Sequence, residues 1–247
     1  MDNILLITGG SRGIGQALVT TYLQKGYKVF SIARSHSSEK HPLLHQISFD
    51  LSASHGFGTL FKNLFREIEE AQTASILLIN NAAALPIGKI DTLTQEHIQQ
   101  ATHVNLTAPL LLTSLFIQHT QGWKCDKKII NISSGAAHKP YYGWTIYCST
   151  KAALDMLTRT VAIEQSTVEN GVKILSISPG VVDTGMQSAI RESAREDFKD
   201  IDRFIELKNT NALAEPADVA NQIYQVAMDT DIENGAILDL RTLSTNT

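Results

Sequence analysis

The chain is poor in several things, and each shortage excludes a class of protein. Its 247 residues include only two cysteines, Cys125 and Cys148. Two thiols do not make a disulfide framework, so a buried core must hold the fold. No apolar run reaches the roughly 18–20 residues that a membrane-spanning helix needs. Neither sign of charge dominates: 21 lysines and arginines face 25 acidic residues, for a net charge of −4. That balance gives no basic footprint for nucleic acid. The eight histidines show no H-E-x-x-H or comparable ligand spacing, so no metal site is expected. There is no internal repeat, low-complexity stretch or shift of composition to mark a second domain. The apolar fraction of 43% suits a globule, and residues 1–247 are expected to form one large α/β domain. The first residues lack a basic stretch and reach Gly9 too soon for a signal peptide, so a cytoplasmic location is expected.

What is present begins with Ile4-Leu5-Leu6-Ile7, an apolar run of the kind that makes a buried strand. It enters Thr8-Gly9-Gly10-Ser11-Arg12-Gly13-Ile14-Gly15, and a helical pattern follows through Leu18, Val19 and Tyr22. Strand, glycine turn and helix form a phosphate cradle. Glycine lets the backbone turn sharply and approach an anion closely, and the new helix offers it free N–H groups. The spacing is neither the general G-x-G-x-x-G fingerprint nor a nucleotide-hydrolase loop, which would close on Gly-Lys-Ser/Thr. A second strand, Lys28 to Ala33, ends at Arg34. An acidic residue at that point would hold a ribose hydroxyl, whereas arginine suits a 2′-phosphate. Arg34 and Arg12 together therefore favour NADP(H) over NAD.

Strands and helices then alternate. Further strands are expected at Gln46–Asp50, Ile76–Ile79, Lys128–Ile132, Lys173–Ser178 and Ala236–Leu240. Leu60, Phe61, Leu64, Phe65 and Ile68 mark an amphipathic helix. A long helical tract spans Gln95 to Gln121 and is interrupted by Pro109, and Pro216 starts a last helix. Repeated βα units imply a Rossmann-type, doubly wound parallel sheet flanked by helices. Ligands bind such sheets outside the carboxyl ends of the strands, where Gly9, Arg34, Asp50, Asn81, Ser134 and Pro179 fall.

Tyr147 and Lys151 stand one helical turn apart, so phenol and ammonium can share one face. A free phenol titrates near 10, and a neighbouring positive charge lowers that value. Tyr147 could then exchange a proton near neutrality.

In these features the chain resembles the short-chain dehydrogenase/reductase family along nearly its whole length. Thr8-Gly9-x-x-x-Gly13-x-Gly15 matches the family's cofactor turn, and Asn80-Asn81-Ala82-Ala83 resembles its Asn-Asn-Ala-Gly motif with alanine in place of glycine. Asn105, Ser134, Tyr147 and Lys151 match its catalytic set; Ser134, rather than Ser133, stands thirteen residues before Tyr147. Pro179-Gly180-x-x-x-Thr184 matches the motif at the nicotinamide end. The resemblance implies that Gly9, Ser11, Arg12, Gly13, Ile14, Gly15, Arg34, Asp50, Leu51, Asn81, Ala82, Tyr147, Lys151, Pro179, Gly180, Val182 and Thr184 hold the cofactor. It also implies that Asn105 binds a water that refills the proton through Lys151. A substrate lid is implied at about 183–211, a polar and weakly packed stretch.

Within the family, Asn131-Ile132-Ser133-Ser134, Gly143-Trp144-x-x-Tyr147-Cys148 and Asp155-Met156-Leu157 resemble sepiapterin reductase and benzil reductase-like members. That likeness implies NADPH-dependent reduction of a small-molecule ketone, a vicinal dicarbonyl or α-hydroxyketone. Ser134, Trp144, Tyr147, Met186 and Asp239 are the candidate substrate residues. Asp239 could anchor a pterin or simply end the last strand. Trp144 and Tyr142 could wall a planar substrate or pack a loop, and His138 is expected to be a solvated loop residue. Two alternatives stay open: a reductase of unrelated ketones or acyl-carrier substrates, and a non-catalytic NADP-binding sensor. The family implies a homodimer or homotetramer formed through the Asn105 and Tyr147 helices.

Overall fold

A computed structural model describes residues 1–243. Seven parallel strands form one sheet: β1 (Asp2–Thr8), β2 (Lys28–Ala33), β3 (Leu44–Ser48), β4 (Thr73–Asn80), β5 (Asp126–Ile132), β6 (Lys173–Ser178) and β7 (Ile237–Asp239). Their spatial order is β3-β2-β1-β4-β5-β6-β7. Helices α1 (Gly13–Gln24), α2 (Phe57–Leu64), α3 (Gln95–Thr102), α4 (Ala108–His119), α5 (Thr145–Ser166), α6 (Gly185–Arg191), α7 (Ile201–Asn209), α8 (Pro216–Met228) and α9 (Leu240–Leu243) fill the connections.

The strands read as continuous apolar runs because both faces of the sheet are covered. Successive side chains point to opposite faces. Thus Leu5 and Ile7 of β1, with Leu77 and Ile79 of β4, pack against Leu18, Val19 and Tyr22 of α1 and Val219 and Ile223 of α8. Ile4 and Leu6, with Ile76 and Leu78, pack the other way, against Phe61 of α2 and Leu112 and Phe116 of α4. The sheet order reverses between β1 and β4, and the crevice beyond their carboxyl ends is where such folds bind ligands.

Several expectations need correction. β3 lies two residues earlier than expected, because it ends level with its partner: Ala33 pairs with Ser48. Asp50 is therefore in a turn, where its carboxylate accepts hydrogen bonds from the Ser52 N–H (2.9 Å) and hydroxyl (2.8 Å). The amphipathic helix stops at Leu64, so Phe65 and Ile68 lie beyond it. Pro109 does not interrupt the long helical tract. The irregularity is a π-turn at His103–Thr107, and Pro109 sits in the first turn of α4, where the missing N–H is tolerated. Residue 240 starts α9 instead of ending the last strand, so α8 is not the last helix.

Candidate active site

Two loops beyond the strand ends are welded together by the glycine turn. Gly9 and Gly13 adopt positive φ (69° and 56°), open to glycine at little cost. A Cβ on Gly15 would come within 2.1 Å of the Gly9 carbonyl oxygen and 2.5 Å of Asn81 Nδ2. Asn81, at the end of β4, donates from Nδ2 to the carbonyls of Thr8 (2.9 Å) and Gly9 (3.2 Å). The Thr8 hydroxyl accepts from the Asn81 and Ala82 N–H groups at 3.0 and 3.1 Å. Asn81 thus holds the turn in shape. Thr8 shares that task, which sequence reading credited only to the glycines.

This cradle fits a nicotinamide dinucleotide. The first turn of α1 has no acidic residue and no side-chain cap, so its N–H groups stay open to an anion. Thr184 lies 3.3 Å from a Cβ position on Gly13, which brings the loop after β6 against the glycine turn. Arg12 and Arg34 are exposed, and neither joins an ion pair among the described residues. Of the other expected cofactor residues, Leu51 and Val182 are buried, whereas Ser11, Ile14, Ala82, Pro179 and Gly180 are partly exposed beside the crevice.

At the far end of the crevice, Tyr147 and Lys151 project from α5 and are both buried. The Lys151 ammonium lies 5.5 Å from the Tyr147 ring centre and donates to the Ile132 carbonyl at 2.7 Å. An ammonium can donate three hydrogen bonds, and this is the one made among the described residues. Two buried donors are left for a polar ligand, which is a second mark of fit. Ser134 caps the 3₁₀ turn Gly135–Ala137, accepting from the Ala136 N–H at 3.2 Å. Its hydroxyl lies beside Tyr147, where it favours the ionised phenol. Ser133 is buried with no partner for its hydroxyl among the described residues, so Ser134 is the serine that meets the phenol.

The electrostatics differ from expectation. Burial pushes the Tyr147 phenol up to about 12, with the Ser134 hydroxyl opposing it. Burial also pulls Lys151 down to about 8, against the attraction of Asp155. Desolvation dominates because both groups are out of water, and the ammonium lies over the ring.

Asn105 has a structural task that the sequence did not show. It is buried in the π-turn, where its Oδ1 accepts from the Ala84 N–H (2.7 Å) and its Nδ2 donates to the Ala84 carbonyl (2.8 Å) and the Thr150 hydroxyl (3.2 Å). The amide fastens the loop after β4 to α5. Replacing Asn105 by alanine would leave both Ala84 groups unpaired. We expect Asn105→Ala to lose about 3 kcal/mol of stability in a denaturant titration; an unchanged midpoint would contradict this.

The stretch 183–211 is better packed than its charges suggest. Ile190 of α6, Phe198, and Ile201 and Phe204 of α7 are buried against Trp144 and Tyr147. Phe198 stacks on Trp144 at 4.6 Å with an interplanar angle of 3°, and Trp144 meets Tyr147 edge-on at 5.8 Å. Met186 packs at the border of this cluster. Gly143 admits the stretch closely, since a Cβ there would lie 1.8 Å from the Asp197 carbonyl oxygen. Trp144 is therefore a packing residue beneath the stretch, and Tyr142 points outward to Lys199. The missed aromatics are Tyr141 and Phe198; an isolated Phe in a charged run gave no periodic signal. His138 is exposed, as expected, but its Nε2 comes within 3.2 Å of buried Asp155 without hydrogen-bond alignment. Asp239 ends β7 and is paired. Its carboxylate is held by the Arg241 guanidinium, with Nε 2.9 Å from Oδ1, and this contact keeps it below the usual carboxylate range.

This assembly can be set beside known proteins. A family model described as short chain dehydrogenase matches residues 3–195.

The chain belongs to the short-chain dehydrogenase family.

It is 42% identical over 242 residues to the benzil reductase ((S)-benzoin forming) of Bacillus cereus, covering 95% of this chain and 97% of that one. It is 31% identical over 255 residues to the sepiapterin reductase of Mus musculus, covering 96% and 95%. Among solved structures, KRED1-Pglu superposes with a TM-score of 0.82 at 28% identity, covering 95% of this chain and 99% of that one. The protein is accordingly an oxidoreductase of C=O and CH–OH groups, a carbonyl reductase that uses a nicotinamide cofactor and a small-molecule substrate. Among the described residues, no helix is long and apolar enough to cross a membrane, and no cluster of His, Cys, Asp and Glu could hold a metal ion.

Proposed function

We propose that this short-chain dehydrogenase reduces one carbonyl of a vicinal dicarbonyl, with NADPH as hydride donor. The observation that carries the reading is the buried Tyr147–Lys151 pair with half-buried Ser134 beside it at the carboxyl end of the sheet, in a chain 42% identical to a benzil reductase. The dinucleotide, when bound, supplies the hydride. Ser134 orients the carbonyl oxygen by a hydrogen bond. Tyr147, a phenol at neutral pH, gives that oxygen a proton as negative charge builds on it. Lys151 keeps a positive charge beneath the ring and offers its two remaining donors to the nicotinamide ribose. Asn105 positions the loop and helix that frame these groups. The packed stretch 183–211 acts as a lid that excludes water. Incubation with benzil and NADPH should give benzoin with no further reduction to the diol; no product from benzil, phenylpropanedione or diacetyl would overturn the dicarbonyl reading.

Arg12 and Arg34 support NADPH over NADH, because both guanidinium groups are exposed beside the strand ends where a 2′-phosphate would lie. We expect Arg34→Ala to raise the Kd for NADPH by about 10- to 100-fold, the loss of one charge-assisted contact, while NADH binding changes little. Equal effects on both cofactors would remove the case for the phosphate. We also propose a homo-oligomer formed through α4 and α5, where Leu110, Leu111, Met156 and Ile163 are exposed. Sedimentation at the monomer mass would contradict it.

A further inference from the structure

Arg241 crosses the two loops that lead into the site. Its Nη2 lies 3.5 Å from the Cβ position on Gly135, the residue next to Ser134. Its Cγ and Cδ lie 3.3 and 3.4 Å from the Cβ position on Gly180, in the loop after β6. Both neighbours are glycines, so the arginine stem lies flat against backbone and bridges the ends of β5 and β6.

The side chain is held rigidly. Nε donates to Asp239 Oδ1 at 2.9 Å and Oδ2 at 3.2 Å, Nη2 donates to Oδ2, and the Arg241 main-chain N–H donates to Oδ1 at 3.0 Å. A guanidinium carries five N–H donors, and this fork occupies the Nε and Nη2 edge. The Nη1 edge makes no hydrogen bond among the described residues, and the side chain is 56% exposed, so a ligand can reach it. Asp239 also cancels the charge of Arg241. A neutral pair with directed donors suits an uncharged acceptor oxygen better than a carboxylate. The other titratable groups facing the pair are His138 and Tyr141.

We propose that Arg241 determines specificity by donating a hydrogen bond to the second oxygen of a vicinal dicarbonyl whose reacting oxygen meets Ser134 and Tyr147. This rests on the dicarbonyl reading above. It gives Asp239 a positioning role: it aims Arg241, instead of touching the substrate itself. In an unsymmetrical diketone, the anchored oxygen decides which carbonyl faces the phenol.

The test compares wild type with Arg241→Met on phenylpropanedione and on acetophenone, which has no second oxygen. Arg241→Met should raise KM for the diketone about 10-fold, as loss of one directed contact does, with kcat much less affected. It should also shift the ratio of the two hydroxyketone products, while acetophenone and NADPH kinetics stay as in wild type. Asp239→Asn, which loosens the fork, should move the product ratio in the same direction. A product ratio and diketone KM unchanged in Arg241→Met, in an enzyme that prefers the diketone, would overturn the role of Arg241 alone. Equal losses on both ketones would overturn it too, by showing a general structural effect. A wild type with no preference for the diketone would overturn the dicarbonyl reading and this role with it.

Discussion

Tyr147→Phe should lower kcat by about 1,000-fold while leaving NADPH binding nearly intact, the usual scale for loss of a positioned general acid. The substitution removes one oxygen from a buried ring that packs edge-on against Trp144. The ring keeps its contacts, so the fold should persist. What disappears is the proposed proton donor beside Ser134. On the proposed reading, NADPH is held chiefly by the glycine turn and the exposed arginines, so its Kd should move little. Rapid-mixing kinetics with a diketone, paired with fluorescence titration of NADPH, separates the two effects. Near-wild-type turnover would remove Tyr147 from the mechanism.

Lys151→Met should be almost as damaging, with kcat down about 100- to 1,000-fold, because the developing charge on Tyr147 loses its counter-charge. Cofactor affinity should fall as well, which distinguishes it from Tyr147→Phe. The pH dependence follows from burial. Lys151 loses its proton near 8 in the folded protein, so reduction should slow as pH rises through about 8. Tyr147, pushed to about 12, remains a phenol across that range. A rate that rises through pH 8 would contradict this. Stability should move the other way. The unfolded chain keeps the lysine proton up to its ordinary value of 10.5. The unfolded state therefore binds more protons between about pH 8 and 10, and folding stability rises with pH there. Lys151→Met should abolish that rise, which thermal melts across the window would show.

The fold was legible because its physics is local. β1, β2, β4, β5 and β6 announce themselves as apolar runs, since both faces of a parallel sheet are covered. The edge strand β3 was misplaced because Leu44-His45-Gln46-Ile47-Ser48 is only half buried, and a partner's end, not its own composition, stops it. The pairing of Tyr147 with Lys151 was legible because spacing on one helix brings them together. Less local features escaped. The phenol's upward shift depends on burial contributed by residues far apart in sequence. The role of Asn105 depends on Ala84, twenty-one residues away. Phe198 gave no sign of its stack on Trp144, because a single aromatic in a charged stretch has no period. Arg241 holds Asp239 across two residues of a strand-to-helix junction, a contact set by backbone geometry and not by pattern.

The most direct test of the central claim is the initial rate of cofactor oxidation with phenylpropanedione, measured by absorbance with NADPH and with NADH at the same concentration. The account predicts fast turnover with NADPH, at least about 10-fold above NADH, in line with one lost phosphate contact. No oxidation of NADPH under conditions where the protein binds it, or equal rates with the two cofactors, would contradict it.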